Sequence, residues 1–266
     1  MVKIAIVGGG VMGEALVAAL LAKGVAEAGD IAVGELLEER RRHLAQRYGV
    51  RTDAQAAAAV QGADLAVLAV KPQDFPTVAR ALGGSAHQLY LSIMAGVPLR
   101  ALATSLGSQR VARAMPNTPA QIGEGVTVWT ALPAVDEGAR QQVRRVLAAL
   151  GHEVYVEDEK YVEMATAVSG SGPGFLFLLL EALVDGAVHI GLPRPLAVEL
   201  VYRTALGTVR YAQASGRHPA ELRSQVTSPG GTTAAGLLEL ERQGVRAAIM
   251  GAIEAAHRRA LELGGQ

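Results

Sequence analysis

The chain has 266 residues, 50% of them hydrophobic and 19% charged, enough for a sizeable core in one large domain or two modest ones and too apolar for disorder. Its 25 basic and 25 acidic residues balance to a formal net charge of +0, which argues against a nucleic-acid or other polyanionic partner. With no cysteine there is no disulfide, thiolate nucleophile or zinc–thiolate site, and six scattered histidines without an H-x-x-x-H pair give no reason to expect a metal. No charged-then-apolar leader precedes the first apolar run, and the apolar runs read as shorter than the roughly 20 residues of a bilayer span. A soluble, cytosolic protein without signal peptide or membrane contact is the expectation.

Ile4 to Val7 is an apolar run without a solvent face, as in a buried parallel strand. Gly8, Gly10 and Gly13 follow at the spacing G-x-G-x-x-G, and Ala15 to Leu20 continues in a helical pattern. Between strand and helix, that spacing marks a dinucleotide-binding turn: Gly8 for the tight turn, Gly10 for close approach of a pyrophosphate, Gly13 for helix–strand packing. The helix start would offer N–H groups and a positive dipole end to the phosphates. Ile31 to Glu35 reads as a second strand. Glu35 stands where an acid bonds the adenosine ribose and repels a 2′-phosphate, favouring NADH over NADPH; it reads equally as an acid near the start of the helix Glu38 to Tyr48. Arg40, Arg41 and Arg42 on that helix read as a solvated face, although they could reach a phosphate.

Val50 to Thr52 is a short third strand, Ala54 to Val60 a short helix, and Asp64 to Val70 a strongly apolar fourth strand ending in Lys71-Pro72. Ligands of a doubly wound sheet lie beyond the carboxyl ends of its strands, which places Lys71 at the cofactor while Pro72 stops the strand; a lysine solvating a strand end reads the same. Pro72 to Leu82 suits a crossover helix. Leu89 to Ile93 is a fifth strand, with Met94, Ala95 and Gly96 at its carboxyl end. Arg110 to Ala114 is a sixth, and the two prolines of Met115-Pro-Asn-Thr-Pro119 hold Asn117 where the nicotinamide should lie. Val126 to Thr130 and Val154 to Val156 complete the sheet around a helix from Val135 to Leu150. From Lys160 on the chain is helical: Tyr161 to Val168, then, after a loop Ser169 to Gly174, Phe175 to Ile190, which is apolar all round and calls for a partner subunit to cover it. Helices from Pro193 to Gly216, Pro219 to Val226, Thr232 to Gln243 and Val245 to Leu263 follow. The expected organisation is α/β: a doubly wound Rossmann domain over 1–158 and an all-α substrate-binding and dimerisation domain over 159–266.

Thr227-Ser-Pro-Gly-Gly-Thr-Thr233 opens one of these helices with two adjacent glycines and several hydroxyls. Consecutive N–H groups at such a start can hold a carboxylate, and Thr233 could donate a hydrogen bond to a neighbouring polar atom; an ordinary capped helix reads the same. This stretch resembles the signature of pyrroline-5-carboxylate reductases, as do V-G-G-G-V-M-G at Val7 to Gly13, A-V-K-P at Ala69 to Pro72, M-P-N-T-P at Met115 to Pro119, S-G-S-G-P at Ser169 to Pro173 and G-L-P-R at Gly191 to Arg194. The resemblance spans essentially the whole chain. It implies reduction of 1-pyrroline-5-carboxylate to L-proline with NADH or NADPH by a homodimer, or an oligomer built from dimers. It also implies that Gly8 to Gly13, Ala69 to Pro72, Met94 to Gly96 and Asn117 line the cofactor. Ser228, Gly230, Gly231, Thr232 and Thr233 would hold the substrate carboxylate, and Thr233 would hydrogen-bond the ring nitrogen. Glu35 departs from the small or basic residue of NADPH-preferring members, Gly174 from the usual alanine, and Gly216 from an acid that some members carry. Two other readings remain: a β-hydroxyacid dehydrogenase-like enzyme, which would need a lysine on a helix of the second domain, and a non-catalytic NAD(H)-sensing regulator.

Overall fold

The computed structural model describes residues 2–84 and 86–264; Met1, Ser85 and residues 265–266, which the two expected domains include, lie outside the described residues. Strand β1 (Ile4–Val7) is buried throughout, because successive side chains of a strand alternate between faces and both faces here are covered. Seven strands follow: β2 (Ile31–Gly34), β3 (Arg51–Asp53), β4 (Leu65–Leu68), β5 (Leu89–Ser92), β6 (Val111–Met115), β7 (Gly125–Ala131) and β8 (Gly151–Tyr155). They form one sheet in the order β3-β2-β1-β4-β5-β6-β7-β8, with Ile6 registered between Val33 of β2 and Val67 of β4. All neighbours are parallel except β6 and β7.

Helices α1 (Val11–Ala22), α2 (Glu38–Tyr48), α3 (Ala56–Val60), α4 (Phe75–Leu82), α5 (Leu99–Leu106) and α6 (Glu137–Ala148) link the strands and cover the sheet. One apolar cluster joins Ile4 and Ile6 to Leu16, Leu20, Leu44, Trp129 and Leu147, and the other joins Ala5 and Val7 to Phe75, Ala79, Leu102 and Leu106. This is the expected Rossmann-like domain, and each of its eight anticipated strands is present. Two details differ from the sequence reading. Helix α5 was not anticipated, although Leu99, Leu102, Ala103 and Leu106 are its four buried residues, at the spacing of one helical face. Strand β8 begins at Gly151 rather than Val154, because at the sheet edge His152 and Val154 are exposed in alternation and no continuous apolar run marks it.

By compactness the chain separates into the residues up to Pro173 together with those from Ala256, and a second unit, Gly174–Ala255. The segment after residue 158, given above to the second domain, therefore packs with the first as far as Pro173. Helix α7 (Lys160–Ala165) is held there by Arg113 of β6, which is 1% exposed and reaches Glu159 Oε1 at 2.7 Å and Glu163 Oε1 at 2.6 Å.

Ser169 to Gly174 is not the expected loop between helices. A π-helical turn (Thr166–Gly170) joins α7 to α8 (Gly172–His189), so that Lys160–His189 is one helical run of 30 residues. Within the glycine-rich stretch the hydroxyls bond back onto the preceding turn, Ser169 donating to the Ala165 carbonyl at 3.0 Å and Ser171 to that of Thr166 at 3.2 Å, a pairing that bends helices. Pro173 falls in the first turn of α8, where a missing N–H is tolerated. By length and composition this run could cross a membrane, contrary to the expectation that no stretch reaches that size. The second unit comprises most of α8, α9 (Arg194–Ser215), α10 (Pro219–Gln225), α11 (Thr232–Arg242) and the start of α12 (Val245–Leu263). Leu176, Phe177, Leu178 and Leu183 of α8 are all exposed, as a helix that needs an outside partner would be.

Candidate functional site

A cavity of about 690 Å³ opens at the carboxyl ends of β1, β2 and β4, where β1 divides the two halves of the sheet. It gathers Gly8, Gly10, Glu35, Ala69, Val70 and Lys71 of the anticipated cofactor residues. Gly8 has φ +107°, and a Cβ there would lie 2.7 Å from the Ala69 carbonyl oxygen, so the turn out of β1 admits only glycine. At Gly10, in contrast, a Cβ would meet nothing within 4 Å. Gly10 caps α1 without a side-chain hydrogen bond, leaving the helix start to its backbone donors. Open space and unclaimed N–H groups are what a pyrophosphate needs, so these residues fit a dinucleotide. Gly9, Val11, Met12, Gly13 and Pro72 continue the same turns without lining the cavity. Leu36, Leu37, Gln55 and Thr77 do line it and were not anticipated; the signal for them is that loops after β2, β3 and β4 share the edge at which β1 ends.

Glu35 follows β2 as expected, but its carboxylate is already engaged. Oε2 accepts from the Gly9 N–H at 2.8 Å and Oε1 from the Leu37 N–H at 2.9 Å. The arginine run is not a wholly solvated face either. Arg40 donates to the Gly9 carbonyl through both Nε (3.1 Å) and Nη2 (2.6 Å), Arg41 to the carbonyls of Glu35 and Leu36 (2.8 and 2.6 Å), while Arg42 pairs with Glu38. Glu14, in the first turn of α1, accepts from Arg40 at 2.7 Å and Tyr48 at 3.1 Å and contacts His43 Nε2 at 2.8 Å. Burial pushes its carboxyl up, but the hydrogen bonds of Arg40, His43 and Tyr48 outweigh this and hold it down at about 2.

Asn117 follows β6 and does not line the cavity. Its Oδ1 accepts from the Val126 N–H at 2.9 Å and its Nδ2 donates to the Ser169 carbonyl at 3.1 Å. Ser169 lies four residues before Pro173, which has no N–H to give it; Asn117 supplies the missing donor. Met94, Ala95 and Gly96 follow β5, and Gly96 (φ +71°) lies so close to Leu263 that a Cβ would be 3.0 Å from its carbonyl oxygen.

In the second unit, Ser228 to Gly231 makes a turn closed by the Gly231 N–H on the Ser228 carbonyl at 3.0 Å, with Gly230 at φ +69° after Pro229. Gly231 caps α11 without a side-chain hydrogen bond, and Thr232 and Thr233 are its first two residues. The anticipated substrate residues are thus contiguous around one open helix start.

The description "Pyrroline-5-carboxylate reductase dimerisation" matches residues 159–263, and "NADP oxidoreductase coenzyme F420-dependent" matches residues 3–96. A pyrroline-5-carboxylate reductase of Synechocystis sp. is 41% identical over 264 residues, covering 99% of this chain and 98% of that protein. The chain belongs to the pyrroline-5-carboxylate reductase family. The reductase structure from Coxiella burnetii has a TM-score of 0.89 at 33% identity, covering 98% of each chain. That from Plasmodium falciparum, with NADP bound, has a TM-score of 0.89 at 28% identity, covering 99% of this chain and 98% of its own.

Membership of this reductase family makes the chain an oxidoreductase and removes the reading as a non-catalytic regulator. It also removes the hydroxyacid-dehydrogenase alternative, whose required lysine has no counterpart. Lys160, the only lysine after Lys71, precedes α8 and pairs with Asp158 at 2.8 Å.

Proposed function

We propose that the protein catalyses the last step of proline biosynthesis, reducing 1-pyrroline-5-carboxylate to L-proline with NAD(P)H, NADH being preferred. The observation that carries the reaction is the full-length kinship with pyrroline-5-carboxylate reductases. The N–H groups at the start of α1 hold the pyrophosphate, and Ala69, Val70 and Lys71 flank the adenosine half. Pro72, Met94, Ala95, Gly96 and Asn117 shape the rest of the wall, Asn117 by anchoring the turn at Ser169 rather than by touching the nicotinamide. When bound, the dihydronicotinamide supplies the hydride. Ser228, Gly230, Gly231 and Thr232 hold the substrate carboxylate on the backbone donors of α11, fixing the ring for attack at the imine carbon. Thr233 donates a hydrogen bond to the ring nitrogen and makes that carbon more electrophilic, and the nitrogen takes its proton from solvent, so that imine, hydride and proton together give the amine. No nucleophile is required.

Thr233→Ala is expected to lower kcat about 10- to 100-fold while leaving the cofactor Kd unchanged. Steady-state kinetics with a fluorescence titration of NADH checks this, and wild-type turnover would remove Thr233 from the mechanism. The NADH preference rests on Glu35 at the cavity and on the engagement of Arg40, Arg41 and Arg42, which leaves none of the three guanidiniums unpartnered for a 2′-phosphate. Assays with each cofactor, following its oxidation and identifying proline, should give a higher kcat/KM with NADH. The reverse order would overturn the preference without touching the reaction.

The dimerisation match supports a homodimer, and a second copy is the natural cover for the apolar face of α8. A protomer so covered is read as cytoplasmic, without a membrane or nucleic-acid partner. The division at 158/159 is then one of role rather than of packing, with α7 joining the two parts.

A further inference from the structure

We propose that Arg40 is a positioning residue that sets the cofactor affinity of the glycine turn. The proposal rests on the reading of that turn as the pyrophosphate site. Gly9 is the one residue of the turn whose two flanking peptide planes are both held by charged side chains. Glu35 accepts from its N–H at 2.8 Å, and Arg40 donates twice to its carbonyl, at 2.6 and 3.1 Å. A glycine has the widest backbone freedom of any residue, so a turn built on three of them stays in one shape only if something outside it fixes the planes. Charged groups on a peptide are among the stronger hydrogen bonds available for this.

The same guanidinium has a second task. In a trans peptide the carbonyl and the N–H point in opposite directions, and the described residues contain no cis bond. Drawing the Gly9 carbonyl toward α2 therefore turns the Gly10 N–H away from it. Arg40 also pairs with Glu14 at 2.7 Å. Glu14 lies in the first turn of α1, where an uncompensated carboxylate would repel a pyrophosphate. Its position is fixed by His43 and Tyr48 as well as Arg40, all three from α2. One side chain thus orients the anion-binding peptides and pairs with the carboxylate in the first turn of α1. Arg40 reaches the cofactor only through Gly9 and Glu14.

The test compares wild type, Arg40→Ala, Arg40→Met and Gly10→Val, with NADH as the probe in fluorescence titration and in steady-state assays with 1-pyrroline-5-carboxylate. Arg40→Ala should raise the NADH Kd and KM about tenfold, with kcat at saturating NADH within about twofold and the KM for the imine unchanged. Arg40→Met keeps the packing of the stem and should show the same split, which a general loss of folded protein would not. Gly10→Val adds bulk where nothing lies within 4 Å, and should abolish NADH binding without unfolding the domain. An unchanged NADH Kd in both Arg40 variants, with Gly10→Val inactive, would overturn the role of Arg40 alone. Wild-type NADH affinity in Gly10→Val would overturn the cofactor site itself.

Discussion

Replacing Arg113 by methionine is expected to destabilise the protein by about 3–5 kcal/mol, the range for removing one partner of a buried ion pair. Arg113 is 1% exposed, and a single nitrogen serves two carboxylates, Glu159 and Glu163, from the segment that opens α7. Glu163 is itself 4% exposed, so without Arg113 its charge has neither water nor a cation. Glu159 has a further donor in the Leu99 N–H at 2.8 Å, which leaves Glu163 as the group that suffers most. The wild-type arrangement is not fully satisfied, since the Arg113 Nε is buried without a partner. A compensated apolar replacement should therefore recover much of the loss: Arg113→Met combined with Glu163→Leu is expected to be closer to wild type than Arg113→Met alone. Urea unfolding at one fixed protein concentration checks both variants, with the concentration held because assembly adds to apparent stability. A loss below about 1 kcal/mol in Arg113→Met would mean that Glu163 finds another partner or water.

What could be read in the chain beforehand divides along a physical line. The central strands were legible because a parallel strand covered on both faces must be apolar at every position, as Ile4 to Val7 and Leu65 to Leu68 are. The glycine turn was legible because its constraints are local and steric. Residues whose work depends on distant partners were not. Asn117 reads from its own loop only as a neighbour of the nicotinamide, and nothing local shows that its amide also bonds Ser169, 52 residues away, for a reason that lies at Pro173. Arg40 read as a surface residue of α2, since nothing nearby in sequence reveals that α2 brings it to Gly9, 31 residues earlier. The loop expected at Ser169 to Gly174 failed similarly: glycine and proline argue locally for a break, and the distant Asn117 amide supplies the donor that Pro173 lacks. Spacing in a sequence reports what a segment can do by itself, and these residues act through what the sheet places beside them.

Gly13→Ala, the addition of one methyl group, is expected to lower kcat/KM for NADH about a hundredfold, the scale on which small displacements of binding groups act. A Cβ at Gly13 would overlap the Gly8 carbonyl oxygen and lie 3.1 Å from the Gly8 carbonyl carbon. These are backbone atoms, so no side chain can swing aside. Nor can Gly8 yield easily, since its N–H donates to the Gly34 carbonyl at 2.8 Å and the Ala69 carbonyl closes the space behind it. The strain can be relieved only by lifting α1 from β1 or by reshaping the turn between Gly8 and Gly10. Lifting α1 also disturbs the packing of Leu16 and Leu20, both 0% exposed, so a stability loss of about 1–3 kcal/mol should accompany it. Either route displaces the N–H groups that receive the pyrophosphate. Gly10→Ala is the contrast: the same methyl group is added three residues earlier, at ordinary dihedral angles and into open space, and the melting temperature should not change. Thermal melts and NADH titrations of the two variants separate the effects. A Gly13→Ala protein that binds NADH like wild type would show that the turn and α1 can part without loss, and that their close packing is not what shapes the anion site.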